Sequence, residues 1–295
     1  MSLNSISKPA AAAAALVMLL TPAACAQTAP TEKKEPKEAA KQKEVFEELI
    51  LPLRDFLYCD MTLDQFLNFP EPPEGELKQP DALIAAGDAR GALKLLDKLA
   101  SDAEMTRNHD YWLVVAKARR AAGDAEGARR AVHRVLSQSG SESRMVLQAW
   151  SILRELGERP PAGTADDALG VVAEIALDEG VMIIAGYDDG TSRIYWSTGG
   201  GYVGDTKDEK AIAAARELTR VARPLAPQLP YGSAHPLPKP ERVRFTLLTP
   251  GGLRAAEEAL PRAESGTNKF SPLYSAAIGL MHELLRLYNQ NQKGQ

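Results

Sequence analysis

The first half of the chain carries apolar residues at the spacing of a helix. Between residues 45 and 67 they recur every three or four positions, which is typical of one face of an amphipathic helix. These positions are Phe46, Leu49, Leu53, Phe56 and Leu57. Pro52 and the segment 60–63 interrupt the pattern. The pattern therefore predicts one or two short helices that end at the prolines of 70–73.

A glycine–aspartate motif divides the helical region that follows. The sequence GDARGA at 87–92 returns as GDAEGA at 123–128, 36 residues later, and a weaker copy begins at Gly157. Glycine readily adopts the left-handed conformation that ends a helix, and aspartate accepts the free amides that start the next one. Each copy therefore predicts a junction between two apolar helices.

These junctions resemble the tetratricopeptide repeat family, whose helical hairpins of about 34 residues carry a similar turn. The resemblance covers residues 74–158. The matching positions are Gly87, Asp88, Ala92 and Leu99 in one copy and Gly123, Asp124, Ala128 and Leu136 in the next. The inter-repeat proline is missing and fewer than three repeats are visible, so neighbouring segments must cover the ends of the stack. The resemblance implies hairpins that bind peptides or proteins. Together with the helices expected at 45–67, they form a predicted helical domain over residues 45–160.

After residue 161 the pattern changes to short runs of β-forming residues separated by turns. Strands are expected at 169–177, 181–187, 192–197, 243–248 and 253–259, and helices at 207–223 and 271–288. The turns at 178–180 and 188–190 are short enough for hairpins, so the first three strands should be antiparallel. The order β-β-β-α-β-β-α predicts an α+β domain over residues 165–290, with one antiparallel sheet and two main helices.

Two segments of this second half carry a resemblance of their own. The sequences YWSTGGGYVG and VRFTLLTPGGLR resemble a module of uncharacterised bacterial proteins. This resemblance implies neither an activity nor a site.

The first 26 residues have the layout of a secretory signal peptide. Lys8 precedes an apolar run at 10–20, which is too short to cross a bilayer and is followed by the small residues Ala24-Cys25-Ala26. A signal peptidase could cut after Ala26, and the same residues also resemble a bacterial lipoprotein signal with Cys25 as the lipidated residue. Pro22 departs from the lipoprotein pattern, so both outcomes remain open.

Residues 27–44 are predicted to form a disordered charged linker. Lysine, glutamate, alanine and proline dominate them, and they show no apolar period. If Cys25 carries lipid, this segment is a tether. The leader and the linker together predict an exported bacterial protein that is periplasmic or associated with the outer membrane.

Composition narrows the chemistry. The chain has 295 residues, 44% hydrophobic residues and a formal net charge of -4, so it has no strongly basic field for nucleic acid. Once Cys25 is lost or lipidated, Cys59 is the only cysteine left and is expected to be a buried apolar residue. The four histidines show no metal-ligand spacing, so we expect neither a metal nor a cofactor.

A basic run on the second predicted hairpin supplies the candidate partner-binding residues. They are Arg119, Arg120, Arg130 and Arg134, which could present charge to an acidic segment of a partner. The alternative interpretation is an ordinary solvated helix face. Trp112 and Trp150 recur in consecutive helices and are expected to pack against neighbouring helices.

The glycine-rich segment 199–204 fits the pattern G-x-G-x-x-G, but the strand before it belongs to a hairpin, which favours a flexible turn. A second hypothesis is an anion-binding nest at the start of the helix at 207–223. Its residues would be Ser197, Thr198, Gly200 and Gly201.

The leading function is thus a non-enzymatic interaction or scaffold protein with no catalytic residue assigned. The alternative is an envelope domain that binds a small ligand or anion, or is hydrolytic, through this loop.

Overall fold

The structure is a computed structural model that describes residues 51–138, 142–177, 180–197, 199–204, 207–232 and 236–293. The predicted leader, the linker and Cys25 lie outside the described residues. The chain forms two compact units. Residues 59–165 and 250–252 form the helical unit, and the described parts of 51–58, 166–249 and 253–293 form the sheet unit.

The elements follow one another in this order. They are α1 Leu51–Tyr58, α2 Leu63–Leu67, α3 Lys78–Ala85, α4 Ala89–Leu99, α5 His109–Ala121, α6 Ala125–Ser137, α7 Ser143–Glu155, α8 Ala162–Ala165, β1 Gly170–Leu177, β2 Gly180–Tyr187, β3 Ser192–Trp196, β4 Gly201–Val203, α9 Glu209–Ala222, β5 Arg242–Thr249, β6 Gly252–Ala259, α10 Leu260–Glu264 and α11 Ser271–Lys293. Within the described ranges, no helix combines the length and apolarity needed to cross a membrane.

The glycine–aspartate motifs are helix junctions, as their sequence predicts. Gly87 and Gly123 have φ values of 84° and 80°, a left-handed conformation that costs glycine little. Asp88 caps α4 by accepting a hydrogen bond from the Gly91 amide at 2.8 Å, and Asp124 caps α6 through the Gly127 amide at 2.7 Å. Both aspartates therefore satisfy amides that a helix start leaves without an intrahelical partner.

The third, weaker copy ends a helix but does not start one. Gly157 has a φ of 82° and follows α7. The next residue is Glu158, whose carboxylate lies 2.7 Å from the His133 ring instead of capping a helix. A glutamate side chain is a poorer cap than aspartate, so the third junction closes the series of hairpins.

Helix α1 belongs to the sheet unit, whereas the apolar period groups it with the helices that follow. The chain turns at Cys59, a buried residue with a φ of 52°, and a new helix starts at α2. Thr62 and Gln65 form a capping box at this start. The apolar spacing predicts the two helices but not their assignment to different units.

Among the described residues, six antiparallel strands form one sheet in the order β4-β3-β2-β1-β5-β6, which confirms the predicted α+β class. In β1 and β2, Gly170 pairs with Tyr187 and Leu177 with Gly180, as expected for a tight hairpin. The edge strand β4 was not among the predicted strands, because a turn was predicted at this position. It pairs Arg193 with Val203, and the glycines at 199–201 that lead into it have little strand propensity, whereas Tyr202 and Val203 favour a strand.

The sheet unit has its apolar core where α9 and α11 cover one face of the sheet. Side chains such as Ile184, Phe245 and Leu280 are fully buried there. The helices approach closely at Gly186, where a Cβ atom would lie 2.8 Å from Leu280 Cδ2 and 3.4 Å from Ala215 Cα. Glycine at this position therefore permits the close packing of helix on sheet.

Candidate partner-binding groove

A groove of about 610 Å³ lies between α5 and α6 on the helical unit. Its lining residues are Trp112, Val115, Arg119, Gly127, Arg130, Ala131, His133, Arg134 and Ser137. Residues three, four or seven positions apart on a helix share one face, so both helices direct their members towards the groove. Three of the four arginines predicted to bind a partner are thus brought together.

Trp112 forms part of an apolar floor with Val115 and Ala131. Its indole Nε1 donates a hydrogen bond to the Thr106 carbonyl at 2.8 Å, and its ring packs edge-on against Tyr111 at 5.0 Å. These contacts hold the indole in one orientation. Trp112 thus packs against a neighbouring residue, as predicted, and also forms part of the groove floor.

Arg119 is held at the end of the groove by a carboxylate. Its Nη1 lies 3.0 Å from Asp124 Oδ2. The hydrogen bond from the Gly127 amide, together with Arg119, holds the pKa of Asp124 below its ordinary value. A Cβ atom at Gly127 would lie 2.9 Å from Arg119 Cδ, so the glycine leaves room for the arginine to cross α6.

Arg130 is more loosely held. It is mostly exposed, with its Nη1 3.4 Å from Glu126 Oε1. Glu126 makes a shorter contact of 2.6 Å with Arg129, and this hydrogen bond is the main reason that the pKa of Glu126 is lowered. Arg130 therefore shares the Glu126 carboxylate with Arg129, which lies closer to it.

Arg134 stands apart from the other groove arginines. Its guanidinium carbon lies 5.9 Å from the centre of the Trp112 ring, a cation–π distance. In the part of the chain that the structure describes, no carboxylate forms an ion pair with Arg134. Arg134 therefore presents an exposed guanidinium whose charge no described carboxylate neutralises.

Arg120, the fourth predicted arginine, does not line the groove. Its two terminal nitrogens bind Asp64 on α2 and Glu155 on α7. Glu155 also accepts the Leu63 amide at the start of α2. Arg120 thus links three helices of the unit and has a structural role.

His133 lines the groove, and Trp150 on α7 packs against it. The two rings pack edge to face with centres 6.3 Å apart, which places Trp150 against the neighbouring helix as predicted. His133 Nε2 also contacts Glu158 at 2.7 Å. The weak third glycine–aspartate copy thus supplies a partner for a groove residue.

The residues of the predicted anion nest serve the strand pairing instead. Ser197 Oγ accepts the Val181 amide at 2.7 Å, and the Gly199 amide donates to the Trp196 carbonyl at 3.0 Å. The Gly200 carbonyl accepts the Trp196 amide. At Gly201 a Cβ atom would lie 2.2 Å from the Tyr195 ring. Thr198 lies outside the described residues.

A carboxylate already occupies the start of α9. Asp208 accepts the Ala211 amide at 2.9 Å, and both of its oxygens lie 2.8 Å from Arg286 Nη2. The bond to Arg286 is the main reason that the pKa of Asp208 is lowered. The carboxylate of Asp208 therefore already uses the Ala211 amide, and the anion-binding nest stays a prediction.

The sequence did not lead us to predict a buried polar cluster that lies in the sheet unit. Glu174 on β1 is fully buried, and its carboxylate contacts Arg54 Nε at 2.6 Å and the Tyr58 hydroxyl at 2.8 Å. Burial, followed by the charge of Glu174, raises the pKa of Tyr58 well above its ordinary value. The sequence feature that could have indicated this cluster is the single carboxylate within the apolar run VVAEIAL. This cluster attaches α1 to the sheet.

Across the described ranges, no group of three or more histidine, cysteine, aspartate or glutamate residues is arranged to hold a metal ion. No family model, curated protein or solved structure matches the chain.

Proposed function

We propose that this chain is an exported, non-enzymatic interaction protein that binds a protein partner through its helical hairpins. In this proposal the hairpins are tetratricopeptide-like repeats. The leader directs the chain to the periplasm or outer membrane of a bacterium, with Cys25 either lipidated or removed. The charged segment 27–44 then separates the folded units from the membrane or from the new N-terminus.

The groove between α5 and α6 is the observation that carries this proposal. It combines an apolar floor with a rim of three guanidinium groups, one of which forms no ion pair with any carboxylate of the described residues. Aromatic and arginine side chains contribute strongly to protein interfaces because they offer large area and directional hydrogen bonds. An apolar floor with a charged rim suits a peptide segment of a partner.

Photo-crosslinking in cells tests this function with a matched control. Ser137 lines the groove and donates a hydrogen bond to the Arg134 carbonyl at 3.0 Å. Ser101 occupies the same position 36 residues earlier and donates to the Lys98 carbonyl at 2.9 Å. Both side chains are exposed. Each is replaced in turn by the photoreactive residue p-benzoylphenylalanine.

We expect a discrete adduct with one partner from position 137 and none from position 101. Partner identity is read by mass spectrometry of the adduct. Equal labelling of many proteins from both positions, or no adduct from position 137, would refute the proposal.

A further inference from the structure

We infer that the α5–α6 groove binds a short, extended acidic segment whose carboxylates pair with Arg134 and Arg130. This inference rests on the proposed function and specifies the chemistry of the partner. An aliphatic side chain of the same segment packs on the floor beside Trp112.

Arg134 is the anchor of this arrangement. Its guanidinium lies against the indole of Trp112 at 5.9 Å and has no ion-pair carboxylate in the described ranges. A guanidinium is planar and binds a carboxylate through two parallel hydrogen bonds. A carboxylate of the ligand therefore supplies a counter-charge that the described residues do not provide.

Arg130 supplies a second contact at low cost. Its internal bond to Glu126 is long, at 3.4 Å, and Glu126 keeps Arg129 at 2.6 Å if Arg130 turns away. Arg119, in contrast, remains bound to Asp124 at 3.0 Å. Arg130 can therefore exchange its partner, while Arg119 adds only charge to the rim.

The spacing of the two arginines fits an extended ligand. Residues 130 and 134 are separated by about 6 Å along the helix axis. Alternate side chains of a β-extended segment lie about 6.6 Å apart on one side. Two acidic residues separated by one other residue can therefore reach both guanidinium groups. The lining from Gly127 to Ser137 extends about 15 Å, enough for four or five extended residues.

The preceding hairpin provides an internal comparison. The positions that lie 36 residues before Arg130, Arg134 and Trp112 hold Lys94, Lys98 and Glu76. Lysine lacks the planar fork, and a glutamate in place of the tryptophan repels a carboxylate. The inference therefore assigns the acidic ligand to the second hairpin alone.

Fluorescence polarisation with synthetic peptides tests this assignment on the chain from residue 27 to 295. The probe is a fluorescein-labelled pentapeptide of alternating glutamate and leucine, and its control has glutamine in place of glutamate. We expect the glutamate peptide to bind at least about tenfold more tightly, with an affinity that falls as salt increases.

Three variants locate the binding. Arg134→Ala should weaken the glutamate peptide about tenfold, and Arg134→Lys should weaken it by less, because charge remains but the fork is lost. Lys98→Ala is the matched control and should change the affinity less than twofold. Arg134 is exposed, so an unchanged melting temperature verifies that its replacement leaves the fold intact. Equal effects of Arg134→Ala and Lys98→Ala, or equal binding of the glutamine peptide, would overturn the inference.

The crosslinking experiment separates the two levels of the account. A position-137 adduct that maps to a partner segment without acidic residues would overturn the acidic-ligand inference and leave the interaction function intact. The absence of both an adduct and peptide binding would overturn both.

Discussion

The guanidinium of Arg134 on α6 lies 5.9 Å from the ring of Trp112 on α5, so one charged and one aromatic side chain connect the two helices of a hairpin across a groove. The indole is fixed by its bond to the Thr106 carbonyl. A fixed aromatic surface orders the guanidinium before a ligand arrives, which reduces the entropy lost on binding. The account of function depends on this pair.

Replacing Trp112 by leucine should weaken the glutamate peptide several-fold, because the cation–π contact and much of the floor are lost. Replacing Trp150 by leucine is the control, since Trp150 contacts the lining residue His133 but does not itself line the groove. Fluorescence polarisation of both variants measures the difference. An affinity that falls equally in the two variants would contradict the role of Trp112.

Removing the cap of α6 should change stability and binding in opposite directions. In Asp124→Ala the helix loses its cap, so the melting temperature should fall by roughly 4 °C. The same change releases Arg119 from its carboxylate and should raise the affinity for the glutamate peptide.

Asp88→Ala provides the control for this experiment. It removes the equivalent cap of α4 and should lower the melting temperature similarly, with peptide affinity unchanged. Thermal unfolding and polarisation measure the two effects. Weaker peptide binding by Asp124→Ala would show that Arg119 does not contribute charge to the rim.

The buried Glu174 should be essential to the sheet unit. Glu174→Leu removes the carboxylate that contacts Arg54 and Tyr58, and should lower the free energy of unfolding by about 3 kcal/mol or more. The double variant Arg54→Met and Glu174→Leu should recover a large part of this loss, because both charges then leave the interior together. Chemical denaturation provides the measurement, and a loss below about 1 kcal/mol in the single variant would contradict the cluster's importance.

Stability should fall in acid in part through Asp208. Its pKa is lower in the folded chain than its ordinary value, mainly because of Arg286. The stabilisation is therefore complete above the unfolded pKa and is lost as the pH falls through the folded pKa. Asp208→Asn keeps a good cap residue but removes the charge. Its melting temperature should therefore be lower than that of the parent at pH 7 and equal to it near pH 2. A difference that persists unchanged at low pH would contradict the ion-pair explanation.

Much of the sheet was predictable because local chemistry determines it. Turn residues separate the strands, and the runs of β-forming residues locate them to within one or two positions. β4 was missed because three consecutive glycines indicate a turn, whereas its formation depends on pairing with β3. Gly201, which pairs with Tyr195, is required because a Cβ atom there would collide with the tyrosine ring. Local propensity does not include such packing.

The groove was predictable only in part. The basic run predicts a charged surface that contains Arg119, Arg120, Arg130 and Arg134. It does not reveal that Arg120 binds Asp64 and Glu155, because those partners lie 56 and 35 residues away. Tertiary contacts at such separations determine which charges of a basic run remain available.

The most direct test of the central claim combines the crosslinker at position 137 with the Arg134→Ala change in cells. We expect a single partner adduct from position 137 that disappears when Arg134 is replaced, survives Lys98→Ala, and is never formed from position 101. An adduct that is equally strong with and without Arg134 would contradict the claim that this groove is the binding site for an acidic segment.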